Sequence, residues 1–284
     1  MNLHGKPAAV GLHCGGSSYV ASREVVDFYA DALDDRSTLY QAYAPPLLYH
    51  SECFKFLFEW YLRNLIGNLH ARQEWLLFAP IPVGASLRTR STIIDRYEKR
   101  GRDYVVNETD VSDAGSGALL VRGRTHQSFL REEKQGEGFV VDERSPQDKQ
   151  PRPPFPTATG EDLAPVAKVV DQRRCWMFSG PSRNYHTDAE EARKLGFPTI
   201  VVQGMMTTCF IAEVMMNRFG MGFLAGGRMD VKLTNVLWVD RRVTAHGKVR
   251  SQAREGGATR VHCDVWVEAD DGTRISIGEA SALV

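Results

Sequence analysis

Two blocks of this chain repeat each other, and that repetition limits the folds open to it. Residues 87–97, 104–113 and 118–130 are rich in β-branched residues, partly alternating, and separated by glycine-containing turns, which reads as three strands. Residues 242–254, 258–269 and 273–283 read the same way and superpose almost without gaps. Val83 matches Val239 (239 − 83 = 156), and Leu87, Ile93 and Gly101 match Val243, Val249 and Gly257 at the same offset. The turns DAGSG and ADDG then coincide within one residue. A duplicated sheet implies two similar halves packed on each other as an internal dimer.

Each strand block follows an apolar segment. In the second half, Gln203-Gly204 opens a helix in which Met205, Met206, Cys209, Phe210, Ile211, Ala212, Val214, Met215, Met216 and Phe219 leave no polar face. Such a helix is wrapped by other structure rather than laid on a surface. In the first half, residues 52–75 carry a comparable density of Phe, Trp, Tyr, Leu and Ile and are predicted as the matching long helix. Shorter helices are predicted over 20–33, capped by Ser22, and over 161–172. Between the halves the chain turns charged, with five of its 13 prolines between Pro146 and Pro156. That composition marks a linker. The organisation expected is therefore a first domain over 1–135, a linker over 136–160 and a second domain over 161–284.

Composition narrows the function. The formal net charge is zero, against nucleic acid or an anionic membrane as the main partner. No stretch approaches the roughly 20 apolar residues that span a bilayer, and the first residues lack the apolar core of a secretory signal. The five cysteines (14, 53, 175, 209 and 263) are scattered, with no CxxC spacing. This fits a reduced, cytoplasmic protein without a structural metal, with Cys53 and Cys209 as buried thiols.

Chemistry is expected just before the second apolar helix. A polar turn presents His186. Asp188 then caps a short helix with Glu191 as its capping-box partner, and Gly196 and Pro198 end that helix. Residues 200–202 lead the chain inward to Gly204. A helix start carries unpaired N–H groups and partial positive charge, and at a glycine a ligand oxygen can approach closely. An imidazole opposite such a terminus suits acid/base chemistry beside a carbonyl.

Asn184-Tyr185-His186-Thr187-Asp188, Ala192, Gly196-Phe197, residues 200–202 and Gln203-Gly204-Met205 together resemble the MaoC-like hydratases and dehydratases, the (R)-specific enoyl-CoA hydratase group. REVVDFYADALDD, the APP at 44–46 and QEW at 73–75 resemble the degenerate first domain of its double-hotdog members. The resemblance covers about 20–130 and 160–284. It implies an α+β double hotdog, two tandem repeats each with a long central helix wrapped by an antiparallel sheet. It implies a hydro-lyase acting on a 2-enoyl or 3-hydroxyacyl thioester of CoA or acyl carrier protein. His186 becomes the acid/base, Gly204 the oxyanion donor, and Asn184 a third catalytic group that orients water. Arg183, Tyr185, Gln203 and Met205 are expected to contact substrate. No metal or redox cofactor is implied, and a homodimer is compatible.

One departure stands out. The family places an Asp five residues before the His, and here that residue is Pro181. Asn184 or Tyr185 could orient the water instead, or a carboxylate could reach in from the first half. A reaction needing one base, such as a double-bond shift or cyclisation, would dispense with it. A thioesterase and a non-catalytic acyl-binding protein are the other readings. Asp35, which aligns with the lost position, faces Tyr40 rather than a histidine and reads as scaffold. His50, His126, His246 and His262 read as structural or exposed.

Overall fold

A computed structural model describes residues 8–57, 68–99, 101–130, 140–141 and 155–284. In chain order the strands are β1 (His13–Gly15), β2 (Ser18–Val20), β3 (Leu69–Leu77), β4 (Ser86–Lys99), β5 (Arg102–Asp113), β6 (Leu119–Leu130), β7 (Val140–Val141), β8 (Val166–Val169), β9 (Arg228–Leu233), β10 (Arg242–Glu255), β11 (Ala258–Ala269) and β12 (Arg274–Leu283). The α-helices are α1 (Arg23–Leu33), α2 (Gln172–Ser179), α3 (Ala189–Lys194), α4 (Gly204–Phe219) and α5 (Met221–Leu224). Short 3₁₀ turns cover Thr38–Gln41 and His50–Phe54.

The main strands form one continuous sheet in the order β1-β4-β5-β6-β3-β9-β12-β11-β10-β8, with β2 and β7 also pairing β4. The duplication is visible in its hydrogen bonding. The β4–β5 hairpin skips a residue between Ile93 and Asp95, and the β10–β11 hairpin skips one between Val249 and Ser251, 156 positions on in each case (249 − 93 and 251 − 95). Both hairpins close on a glycine at positive φ, Gly101 at 69° and Gly257 at 88°. Such turns favour glycine because a Cβ crowds the left-handed backbone. The halves meet where β3 pairs antiparallel with β9. Glu74 opposes Asp230 there, again 156 apart (230 − 74), while Gln73 faces Val231 and Trp75 faces Met229. A two-fold relation inside one chain therefore passes through that pair.

The helix ends follow the local chemistry. Ser22 Oγ accepts the Val25 N–H, and Asp34 closes α1 in the left-handed region at φ 53°. Asp188 caps α3 by accepting the Glu190 and Glu191 N–H groups. The Glu191 carboxylate does not return the capping-box bond; it pairs with Lys194 at 2.7 Å. Gly196, at φ 84°, follows α3. From Met205 to Met216 every residue of α4 is buried, as its unbroken apolar surface required. All five cysteines are free and buried.

Two expectations fail. The helix expected over 52–75 is corrected at its ends: a 3₁₀ turn covers His50–Phe54 and strand β3 takes 69–77, while residues 55–57 are helical and residues 58–67 lie outside the described residues. In β3, Gln73, Trp75 and Leu77 are buried at every second position, a strand period that a buried glutamine disguises. Pairing with both β6 and β9 overrides the local helical preference. The helix expected over 161–172 is likewise β8, paired with β10, and helix begins only after the Asp171 cap. Lys168, inside β8, turns inward to Glu213 at 2.8 Å.

Glycines permit the crowding at the seam. A Cβ on Gly278 would lie 2.1 Å from the Asp230 carbonyl oxygen, and one on Gly123 would lie 2.7 Å from the Trp75 ring. Gly278→Ala is therefore expected to cost roughly 1–3 kcal/mol in urea denaturation, because backbone cannot give way as a side chain can. A second expectation concerns Glu213, whose carboxyl is pushed up to about 7 by burial and by the Asp35 charge, with Lys168 pulling the other way. A carboxyl raised on folding binds its proton more tightly in the native state, so stability falls as pH rises from the ordinary carboxylate range through about 7. Glu213→Gln is expected to flatten that slope between pH 5 and 8 in denaturation curves.

Candidate active site

The turn after α2 is organised by Asn184. Its Oδ1 accepts the His186 N–H at 2.8 Å, and its Nδ2 donates to the Ser179 and Ser182 carbonyls at 3.1 and 3.0 Å. Its carbonyl accepts the N–H groups of Thr187 and Asp188, both at 2.9 Å, and its own N–H reaches Thr187 Oγ1 at 2.9 Å. This is the Asx chemistry that makes asparagine a turn residue. The Asn184 side chain, expected to orient water, is engaged inside the turn.

Val201 clamps the turn to the chain that enters α4. Its N–H donates to the Tyr185 carbonyl at 3.1 Å, and its carbonyl accepts from His186 Nδ1 at 2.7 Å. A carbonyl can only accept, so Nδ1 carries the proton and the Nε2 lone pair is left free. Burial pushes this histidine down to about 4 against the pull of the Val201 carbonyl. At neutral pH it is therefore an uncharged imidazole with an available base. The Tyr185 ring lies 3.9 Å from it, centroid to centroid, and Phe197 packs behind Tyr185 at 5.9 Å.

Gly204 is the first residue of α4, and the Gln203 side chain makes no capping bond to it. Among the described residues no acceptor takes the Gly204 N–H. A Cβ at this position would lie 2.4 Å from Leu233 Cδ1, so a larger residue would displace that side chain. The Gln203 side chain faces the buried His50 ring. Met205 is fully buried in the core.

Other expected contacts lie elsewhere. Arg183 is exposed and paired with Asp188 at 3.0 Å and Glu190 at 3.1 Å, so its charge is used within the turn. Pro181 is exposed, and among the described residues no carboxylate contributes to the His186 environment. Asp35 is buried and accepts the Tyr40 hydroxyl at 2.5 Å and the Ser37 N–H at 3.0 Å. It borders a cavity of about 480 Å³ with Glu213 and Asn217 that His186 and Gly204 do not line. Two histidines of the first half, His50 and His70, stand outside the motif. His50 stacks on Phe178 at 4.1 Å, and its Nδ1 meets the Tyr29 hydroxyl at 3.0 Å. His70 donates from Nε2 to Gln73 Oε1 at 3.1 Å. Burial pushes both down to about 4. Neither carries a spacing signal, and His50 meets α2 only through the packing of the halves.

The chain matches no protein-family model and none of the curated proteins. Among solved structures it is similar to a MaoC-like dehydratase, with a TM-score of 0.75 and 17% identity over 96% of this chain and 98% of that one. It is similar to a Mycobacterium tuberculosis protein described as having a double hotdog fold, with a TM-score of 0.64 and 13% identity over 98% of both chains. The chain is a double hotdog. The same fold appears in an oleoyl thioesterase (putative, by its own description) from Lactobacillus plantarum, with a TM-score of 0.54, 12% identity, and 97% and 96% of the two chains covered. Proteins described as a dehydratase and as a thioesterase thus share this fold, and the fold by itself selects neither reaction.

Those residues make one prediction here. In ¹⁵N spectra His186 is expected as the Nδ1–H tautomer and to remain neutral throughout pH 5.5–8, because its pKa lies at about 4. A titration midpoint near the usual value of roughly 6.5 would show a solvated ring instead.

Proposed function

We propose that this double hotdog is a hydro-lyase acting on a 2-enoyl or 3-hydroxyacyl thioester carried by CoA or acyl carrier protein. The observation that carries the reading is the hydrogen bond from His186 Nδ1 to the Val201 carbonyl, which leaves Nε2 as a free base and ties the ring to the chain three residues before the unpaired N-terminus of α4. In the dehydrating direction, His186 Nε2 removes the C2 proton while the Gly204 N–H holds the charge growing on the thioester oxygen. The C3–O bond then breaks, and the imidazolium returns its proton to the departing oxygen as water. Hydration is the reverse. One base suffices, because the proton taken from C2 is the proton the leaving group needs. The step so written uses no metal or redox group. Likeness to MaoC-like dehydratases supports the reading at the level of the fold.

A second reading has its own support. Because position 181 is proline and no carboxylate acts on His186 among the described residues, a double-bond shift or cyclisation fits the same base and helix terminus. Incubation with crotonyl-CoA and with 3-hydroxybutyryl-CoA, followed at the enoyl-thioester absorbance, separates these. Hydration is expected, with His186→Ala lowering kcat/KM by roughly 10²–10⁴-fold. Migration of the double bond without water uptake would favour the isomerase, and release of free thiol would mark a thioesterase.

A further inference from the structure

Two arginines of the first half stand side by side with no acid to pair them. On β4, Arg88 and Arg90 alternate with the buried Leu87, Thr89 and Ser91, so both guanidinium groups leave the exposed face of the strand. The register decides what could neutralise them. Asp110 of β5 stands opposite Arg90 and also opposite Arg122 of β6. It accepts from Arg122 Nε at 2.6 Å with one oxygen and from Arg122 Nη2 at 2.9 Å with the other. That two-pronged pairing occupies the carboxylate and leaves Arg90 without an acid. Arg88 stands opposite Ser112, which carries no charge. Neither Arg88 nor Arg90 makes an ion pair or a side-chain hydrogen bond among the described residues.

Both arginines line one cavity of about 360 Å³, between β1, β4 and the turn that joins β5 to β6. His13 and Ser112 line it as well, whereas His186 and Gly204 do not. His13 Nδ1 meets the Ser91 carbonyl at 3.0 Å, so Nδ1 carries a proton and Nε2 has no hydrogen-bond partner among the described residues. Asp113, at the rim, is engaged by the turn: its Oδ1 accepts the Gly115 N–H at 3.2 Å, and the Ser116 N–H and hydroxyl each at 2.7 Å.

This arrangement selects an anion by shape and charge. Residues two apart on a strand stand roughly 7 Å apart, a spacing from which two long guanidinium side chains can close on one tetrahedral oxyanion. Each presents paired N–H donors that match two oxygens of a phosphate. A carboxylate has a single edge of that kind and would fill one fork only. The cavity exceeds one phosphate and falls within the size range of small-molecule sites. An extended polyanion would meet Asp110 and Asp113 beside the pair, on a chain of zero formal net charge.

We propose that this cavity is a binding site for a low-molecular-weight phosphate monoester, with the phosphoryl group held between Arg88 and Arg90 and bordered by Ser112 and His13. No bond is made or broken there, and the site is independent of the chemistry proposed at His186.

The test is a titration of the full chain with inorganic phosphate and with glycerol 2-phosphate, at an ionic strength held constant with sodium chloride. It is followed at the arginine Nε–H groups and the backbone amides in ¹H–¹⁵N spectra. The Arg88 and Arg90 signals are expected to shift together and to saturate with both ligands. Arg88→Met combined with Arg90→Met, read at the Ser112 amide, is expected to weaken binding at least about tenfold, because it removes charge-assisted hydrogen bonds. Arg88→Lys combined with Arg90→Lys, which keeps the charge and loses the fork, is expected to fall between that variant and wild type. Shifts that do not saturate, that sodium chloride alone reproduces, or that persist in the Met variant overturn the proposal. Saturation by inorganic phosphate but not by glycerol 2-phosphate overturns the assignment to a monoester. If the Met variant does not fold, the Lys variant decides, and an affinity equal to wild type overturns the site.

Discussion

The antiparallel pairing of β3 with β9 is the constraint on which the rest of the molecule depends. A strand at the edge of a sheet presents unpaired N–H and C=O groups, and two half-sheets solve that problem by sharing their edges. Here the shared edge runs through Glu74 and Asp230. Arg72 fastens it with two bonds to the Asp230 carboxylate, at 2.6 and 2.5 Å. Planar two-pronged pairing of this kind fixes geometry as well as adding attraction. The equivalent glycines Gly123 and Gly278 stand one strand out on either side and let the seam strands pack closely.

Once that edge is shared, the two halves cannot be treated as independent. The 3₁₀ turn His50–Phe54, in the first half, packs on α2 through His50 and Phe178. Tyr29, from α1, reaches Cys209 on α4 at 3.3 Å. Asp35, the first-half counterpart of the missing carboxylate, is engaged with Tyr40 and Ser37 and lies beside Glu213 and Lys168. The duplication has thus diverged in kind. One copy keeps a histidine and a helix terminus, while the other uses its acid to hold a turn against α4.

This divergence frames the chemistry of the proposed site. A carboxylate near His186 would raise the affinity of the ring for protons, and its absence among the described residues leaves burial to dominate. The imidazole is then neutral over the whole physiological range, ready to accept a proton without first losing one. A weakly basic imidazole is a poor match for a C2–H on its own, so the proposed chemistry depends on the Gly204 N–H to lower the cost of the enolate oxygen.

What the sequence determined by itself is whatever depends on near neighbours. Ser22 and Asp188 were legible as caps because a cap needs only the N–H groups two or three residues ahead. The inward face of α4 was legible because every face of the helix is apolar, and the hairpin registers because both copies carry their turn glycines at one offset. Tertiary structure decided the rest. Residues 69–77 and 166–169 became strands because partners far along the chain required an edge, and no local pattern reports that demand. Asn184 and Arg183 read as site residues in a motif, while the hydrogen bonds and ion pairs they make within the turn were visible only in the structure. His50 carried no spacing signal, since its stack on Phe178 exists only after two half-sheets, each incomplete at one edge, have closed on each other.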